Sequence, residues 1–234
     1  MSTPTANPHS AMLNTMQTRL HQWQQTADRR AIFLNCYLLM TENMLTAVHQ
    51  QQFQDNPWVH TLTHRFADYY FTALAAYESQ QPTTPQVWQL TFTAALDAQT
   101  YTLQNLFLGV NAHINYDLVL TVVELLEAEW AALSPAERTR RYQDFIQVNE
   151  IIARTVDAVQ DTVVEAYTPR LDWLDRLMGP VDEWLVSKMI GQWREEVWQT
   201  AVILLNTPTP AQREPIHKEM EARALKIARM LLAF

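Results

Sequence analysis

The sequence predicts an all-α fold, and three observations carry that expectation. The chain of 234 residues holds only three glycines, Gly109, Gly179 and Gly191. Strand turns and phosphate-cradling loops draw heavily on glycine for positive φ. Gln, Ala, Leu, Met and Glu are plentiful, and all are good helix formers. Most prolines stand where an apolar helical period begins, the place a proline suits the first turn. With 48% hydrophobic residues, the length fits one domain with a sizeable core.

The elements follow in order. Residues 1–10 are polar and Pro-containing and read as disordered, with residues 11–234 forming one helical domain. A first helix is expected over 11–27 and a second from near Asp28 to Gln52, on Ile32, Leu34, Tyr37, Leu38, Met44, Leu45 and Val48. Asn56-Pro57 opens a third, with Asn as cap and Pro in the first turn, reaching about Tyr77. Gln81 to Pro85 is a linker. The segment from Pro85 to Leu133 is too long for one ordinary helix, so a break is expected near Ala98–Thr102. Ser134-Pro135-Ala136-Glu137 has the form of a capping box. Its helix should run to about Tyr167 and stop at Thr168-Pro169. Gly179-Pro180 opens another, ending near Asn206, and the last fills 211–232 after a Thr-Pro-Thr-Pro linker. The total is about eight helices, with no internal repeat and no domain boundary.

Charge and composition exclude some functions. The net charge is −8, without a basic stripe, which argues against nucleic acid as a partner. Cys36 is the single cysteine, so no internal disulfide forms, and a reducing, cytoplasmic setting is expected. No uninterrupted apolar run reaches the roughly 18 residues of a membrane span, so none is expected. Nothing in the sequence excludes an oligomer. The chain lacks His-Glu-x-x-His, Gly-x-Ser-x-Gly, a Walker motif and paired aspartates. Glu214-x-x-His217 has the spacing of a di-iron helix, but that chemistry needs two copies and only one is present.

The most informative stretch is Leu106 to Leu118. It sets Asn111, His113, Asn115, Tyr116 and Asp117 inside an otherwise apolar run. A helix apolar almost all round belongs at the centre of a bundle. Polar groups buried there each need a partner. At about 100° per residue, His113 and Asp117 share one face, and Asn111 and Asn115 lie nearly opposite. An aspartate that fixes an imidazole tautomer is the usual setting of a general base. The same pair, His113 and Asp117, could also serve as ligands to a divalent metal.

The leading expectation is a small-molecule enzyme acting on a largely apolar substrate. His113 would be its acid–base group or metal ligand, and Asp117 the orienting group or co-ligand. Asn111, Asn115, Tyr70, Glu42 and Asp144 would be candidates to hold the substrate. The alternative is a non-catalytic ligand-binding or helix-mediated interaction protein in which the polar motif only locks the core. A cavity reaching His113 would favour the first, and a closed core the second. Two further stripes have helical spacing. His60, His64 and Asp68 could approach a metal, and Glu150, Arg154, Asp157 and Asp161 read as a solvated face of ion pairs. The eight tryptophans mostly read as core filling.

The segment Gly109 to Leu118 resembles the signature of a bacterial family of unknown function, with its Asn-Ala-His-Ile-x-x-Asp-Leu core. Upstream, Thr41, Phe53, Asp55, Trp58, Phe66, Ala67, Tyr70, Trp88 and Phe92 are similar as well. So are Asp144-Phe145, Asn149, Arg194 and Trp198 downstream. The resemblance spans about residues 30–205. It implies an all-helical fold and makes His113 and Asp117 part of the family pattern. His49, His60 and His64 match no position of it. It implies no activity.

Overall fold

The computed structural model describes residues 8–159 and 183–233. Among these the chain is helical throughout its regular structure, with no strand, and forms a single all-α domain. The helices are α1 (Pro8–Gln25), α2 (Ala31–His49), α3 (Asn56–Glu78), α4 (Gln86–Leu96), α5 (Thr102–Ala112), α6 (Leu118–Glu127), α7 (Pro135–Val159), α8 (Glu183–Asn206) and α9 (Pro210–Leu232). Between α5 and α6, His113–Asp117 forms a π turn without a break in the rod. Counted as continuous rods, these make eight helices among the described residues, as the sequence predicts.

Local chemistry sets the boundaries. The helix after Phe53 is capped by Asp55, whose carboxylate accepts from Trp58 N–H at 3.0 Å. The expected cap, Asn56, is already helical, and its side chain closes the preceding turn by donating to the Phe53 carbonyl at 2.7 Å. The break after α4 falls where expected, and Gln104 accepts from Tyr101 N–H at the start of α5. The capping box is present at α7. Glu137 accepts from both the N–H and the hydroxyl of Ser134, and Ser134 Oγ accepts from Glu137 N–H. Thr209 caps α9 by accepting from Gln212 N–H. Helix α1 begins at Pro8, three residues inside the stretch expected to be irregular. The expected stop at Thr168-Pro169 and start at Gly179-Pro180 lie outside the described residues.

The rod α5–π–α6 sits at the centre. Helices α2, α4 and α9 pack on α5, helices α3, α8 and α9 on the π turn, and α3 and α8 on α6. Helix α7 covers α2 and α8, and α1 covers α2. Two apolar cores flank the rod. One gathers Met16, Trp23, Phe33, Tyr37, Tyr70, Trp88 and Phe92 from α1–α4. The other gathers Trp58, Val59, Ile114, Leu118, Val122, Phe145 and Trp198. Two segments have the length and mean hydropathy of a membrane span, Ala31–His49 at 1.3 and Thr102–Glu127 at 1.4. In this fold 61% and 72% of those windows are buried inside the protein. A bundle's core helices and a span share those properties, which a search for uninterrupted apolar runs misses.

Candidate active site

The site is built on the π turn. Leu118 N–H reaches the His113 carbonyl five residues back, the bond that defines the wider turn. Such single π turns recur at functional sites. The His113 and Asp117 side chains leave the rod together toward α2, α3 and α4. Nδ1 of His113 and Oδ2 of Asp117 lie 2.9 Å apart. The Trp88 indole, fully buried on α4, donates its Nε1–H to both carboxyl oxygens at 3.0 and 2.9 Å. Thr121 Oγ1 closes the far side by donating to the Asp117 carbonyl at 2.8 Å.

The imidazole is held among aromatic rings. Phe66 of α3 stacks on it, with centroids 3.5 Å apart and planes 7° off parallel. Tyr37 of α2 meets it edge-on at 4.4 Å, and Phe33, Tyr70 and Trp88 stand 5.8–6.1 Å away. His113 is 3% exposed and Asp117 1%. Three buried polar atoms here have no hydrogen-bond partner among the described residues: His113 Nε2, Tyr37 Oη and Tyr70 Oη. Native interiors leave few such atoms, and those that occur need a reason.

Gly109 makes the arrangement fit. A Cβ at this position would stand 2.3 Å from Phe33 Cγ, inside any tolerable contact. The missing side chain lets Phe33 cross the rod one turn before His113. The glycine of the motif is therefore explained by a close approach.

Burial sets the electrostatics. It holds the Asp117 carboxyl well above its usual 3.8, against the pull of the Trp88 N–H. It holds the His113 imidazole well below its usual 6.5. Each group resists charge, so the dyad keeps one titrating proton between them over a widened pH range. With that proton present, Nε2 carries hydrogen and is a donor. Once it leaves, Nδ1–H faces the carboxylate and Nε2 presents a lone pair. The dyad can therefore give or take a proton at Nε2.

The other predicted residues divide. Tyr70 is fully buried beside the dyad. Asn111 and Asn115 are buried on the opposite side of the rod. Asn111 Nδ2 donates to the Ala224 carbonyl of α9 at 2.9 Å, and its Oδ1 accepts from Asn115 at 3.0 Å. Glu42 does not reach the site. It lies on the α1 side of α2, where its carboxylate accepts from Gln17. Asp144 is fully buried elsewhere, accepting from the N–H groups of Gln54 and Asp55 at 2.8 Å and so fixing the α2–α3 turn. Neither helical spacing, which suggests Glu42, nor a resemblance, which includes Asp144, shows which neighbour a side chain faces.

Among the described residues no group of three or more His, Cys, Asp and Glu is placed to hold a metal. The Asp117 oxygens are already engaged by Trp88 and His113. The His60 and His64 rings lie 4.4 Å apart, while Asp68 pairs with Arg65. Glu150 and Arg154 form an exposed ion pair at 3.3 Å. Glu214 pairs with Lys218 rather than His217. Sequence reasoning named Trp88, Phe66 and Tyr37 without giving them a role in the site. For Trp88 the signal was available, since a buried indole N–H seeks an acceptor and a buried aspartate seeks donors.

The fold and site define an all-helical protein with a buried His–Asp–Trp centre on a π turn. The model of the "Family of unknown function (DUF5995)" matches residues 10–234, and the chain belongs to that family. No curated protein and no solved structure matches the chain.

Proposed function

We propose that the chain is an enzyme acting on a small, largely apolar molecule, with His113 as the acid–base group. Asp117 and Trp88 orient the ring through Nδ1, and the substrate meets Nε2. One observation carries this reading: the imidazole is fixed at Nδ1 while its Nε2 is buried with no protein partner among the described residues. A purely structural histidine satisfies both nitrogens. The rings packed on the imidazole are apolar, and the Tyr37 and Tyr70 hydroxyls are further polar groups beside it. The net charge of −8 and the single thiol fit a cytoplasmic protein without nucleic acid as partner.

A second reading has its own support. The near-parallel stacking on Phe66 and the 3% exposure are how a polar lock in a core is built. The two are separated by imidazole ¹⁵N spectra recorded while small apolar alcohols, ketones and phenols are titrated. For an acid–base centre, a binder moves the His113 Nε2 resonance and raises Tm, and Asp117→Asn loses the response. If no compound moves that resonance while His113→Ala lowers Tm, the centre is a lock and the enzyme reading fails.

A further inference from the structure

Helix α8 buries one face made of Ile190, Val197, Ala201 and Leu204. Arg194 occupies the same stripe and is 4% exposed. A buried guanidinium ordinarily has a carboxylate beside it. Arg194 has none among the described residues. Nε donates to Asn149 Oδ1 at 2.7 Å, and Nη2 donates to the Phe145 carbonyl at 2.6 Å. The Phe145 ring lies under the cation at 4.3 Å. Both oxygens are neutral, and Nη1 has no described acceptor. Burial pulls the group down to about 9, which still leaves it protonated at neutral pH.

Two further features point to a ligand. Asn149 uses its oxygen on Arg194, which leaves its Nδ2 as a donor turned toward Gly191. At Gly191 an added Cβ would meet only Asn149 Nδ2 among the described atoms, at 3.9 Å. The absent side chain thus leaves room beside the Asn149 amide donor, about one turn of α8 before Arg194. The nearest acid along the helix, Glu195, is engaged by Tyr142 and Gln199. A single cation balances a monoanion better than a dianion. The planar fork matches the two oxygens of a carboxylate. The Phe145 and Trp198 rings, 5.2 Å apart, give the surroundings an apolar character.

We propose that the crevice between α7 and α8 beside Gly191 binds a small carboxylic acid with an apolar body. Arg194 and Asn149 would hold its carboxylate. This site is separate from the His113 centre and stands without the enzyme reading.

The test is a thermal melt of the full chain with sodium benzoate, at ionic strength held constant with sodium chloride. Benzoate should raise Tm saturably, and chloride should not. Gly191→Leu fills the space beside Asn149 Nδ2. Asn149→Asp supplies an internal counter-ion, so it should melt at or above the parent without benzoate. Each should weaken benzoate binding at least about tenfold, the scale of one charge-assisted hydrogen bond. If Gly191→Leu does not fold, Asn149→Asp decides. The proposal is overturned by no benzoate effect beyond that of chloride, by an undiminished effect in Asn149→Asp, or by an equal response to inorganic phosphate.

Discussion

Replacing Asp117 with Asn should change how stability depends on pH in a way only a shared proton explains. Both dyad members are buried, and burial opposes charge on each. In the unfolded chain the pair holds one titrating proton between the ordinary aspartate and histidine values, 3.8 and 6.5. Burial disfavours every state of the pair that carries net charge, so the folded dyad holds that one proton more firmly than the unfolded pair as pH moves either way. Above 6.5 the unfolded pair has lost its proton while the folded pair keeps it, so the dyad's contribution falls as pH rises toward the raised folded value. Below 3.8 the unfolded pair gains a second proton that the folded pair refuses, so the contribution falls again.

Asn at 117 keeps the shape and still accepts from Trp88, but it does not titrate. The alkaline limb then disappears. The lone buried His113 now loses stability as pH falls below the unfolded histidine value of 6.5. Each limb has a slope of about 1.4 kcal/mol per pH unit, one proton's worth. Urea unfolding of parent and variant across roughly pH 5 to 8, compared as a difference, cancels the distant titrations. The variant should lose ground to the parent on the acid side and gain on the alkaline side. Parallel curves would refute the shared proton.

Three further outcomes follow from the geometry, each read by thermal or urea melts. Gly109→Ala drives a methyl into Phe33, whose Cγ stands 2.3 Å from the new atom, and should destabilise by about 1–3 kcal/mol; an unchanged midpoint would show that Phe33 moves freely. Asn111→Leu strands the Asn115 amide and removes the bond to the Ala224 carbonyl, costing about 1–3 kcal/mol. The His113 ¹⁵N resonances should stay in place, because the asparagines face the other side of the rod; a large shift would show the two faces to be coupled. Ser134→Ala dismantles the capping box of α7 at about 0.5–2 kcal/mol, and no loss would mean that packing alone fixes that end.

The sequence by itself determined the helical class, most helix boundaries and the central rod, because these depend on local signals: glycine scarcity, caps, prolines and apolar period. It also determined that His113 and Asp117 meet, and that Asn111 and Asn115 face away from them, since four-residue spacing survives within one rod. Tertiary structure decided everything that depends on which helix lies opposite. It brought Trp88 to Asp117 from 29 residues away and set Phe66 on the imidazole. It turned Glu42 toward α1 and Asp144 toward the α2–α3 turn, removing both from the site. It gave Gly109 its reason in Phe33 and left Arg194 in a core stripe without a carboxylate among the described residues. The physical cause is one of range. A helix end or face is settled by bonds within about a turn of chain, whereas the partner of a buried polar group is chosen by the packing of separate helices.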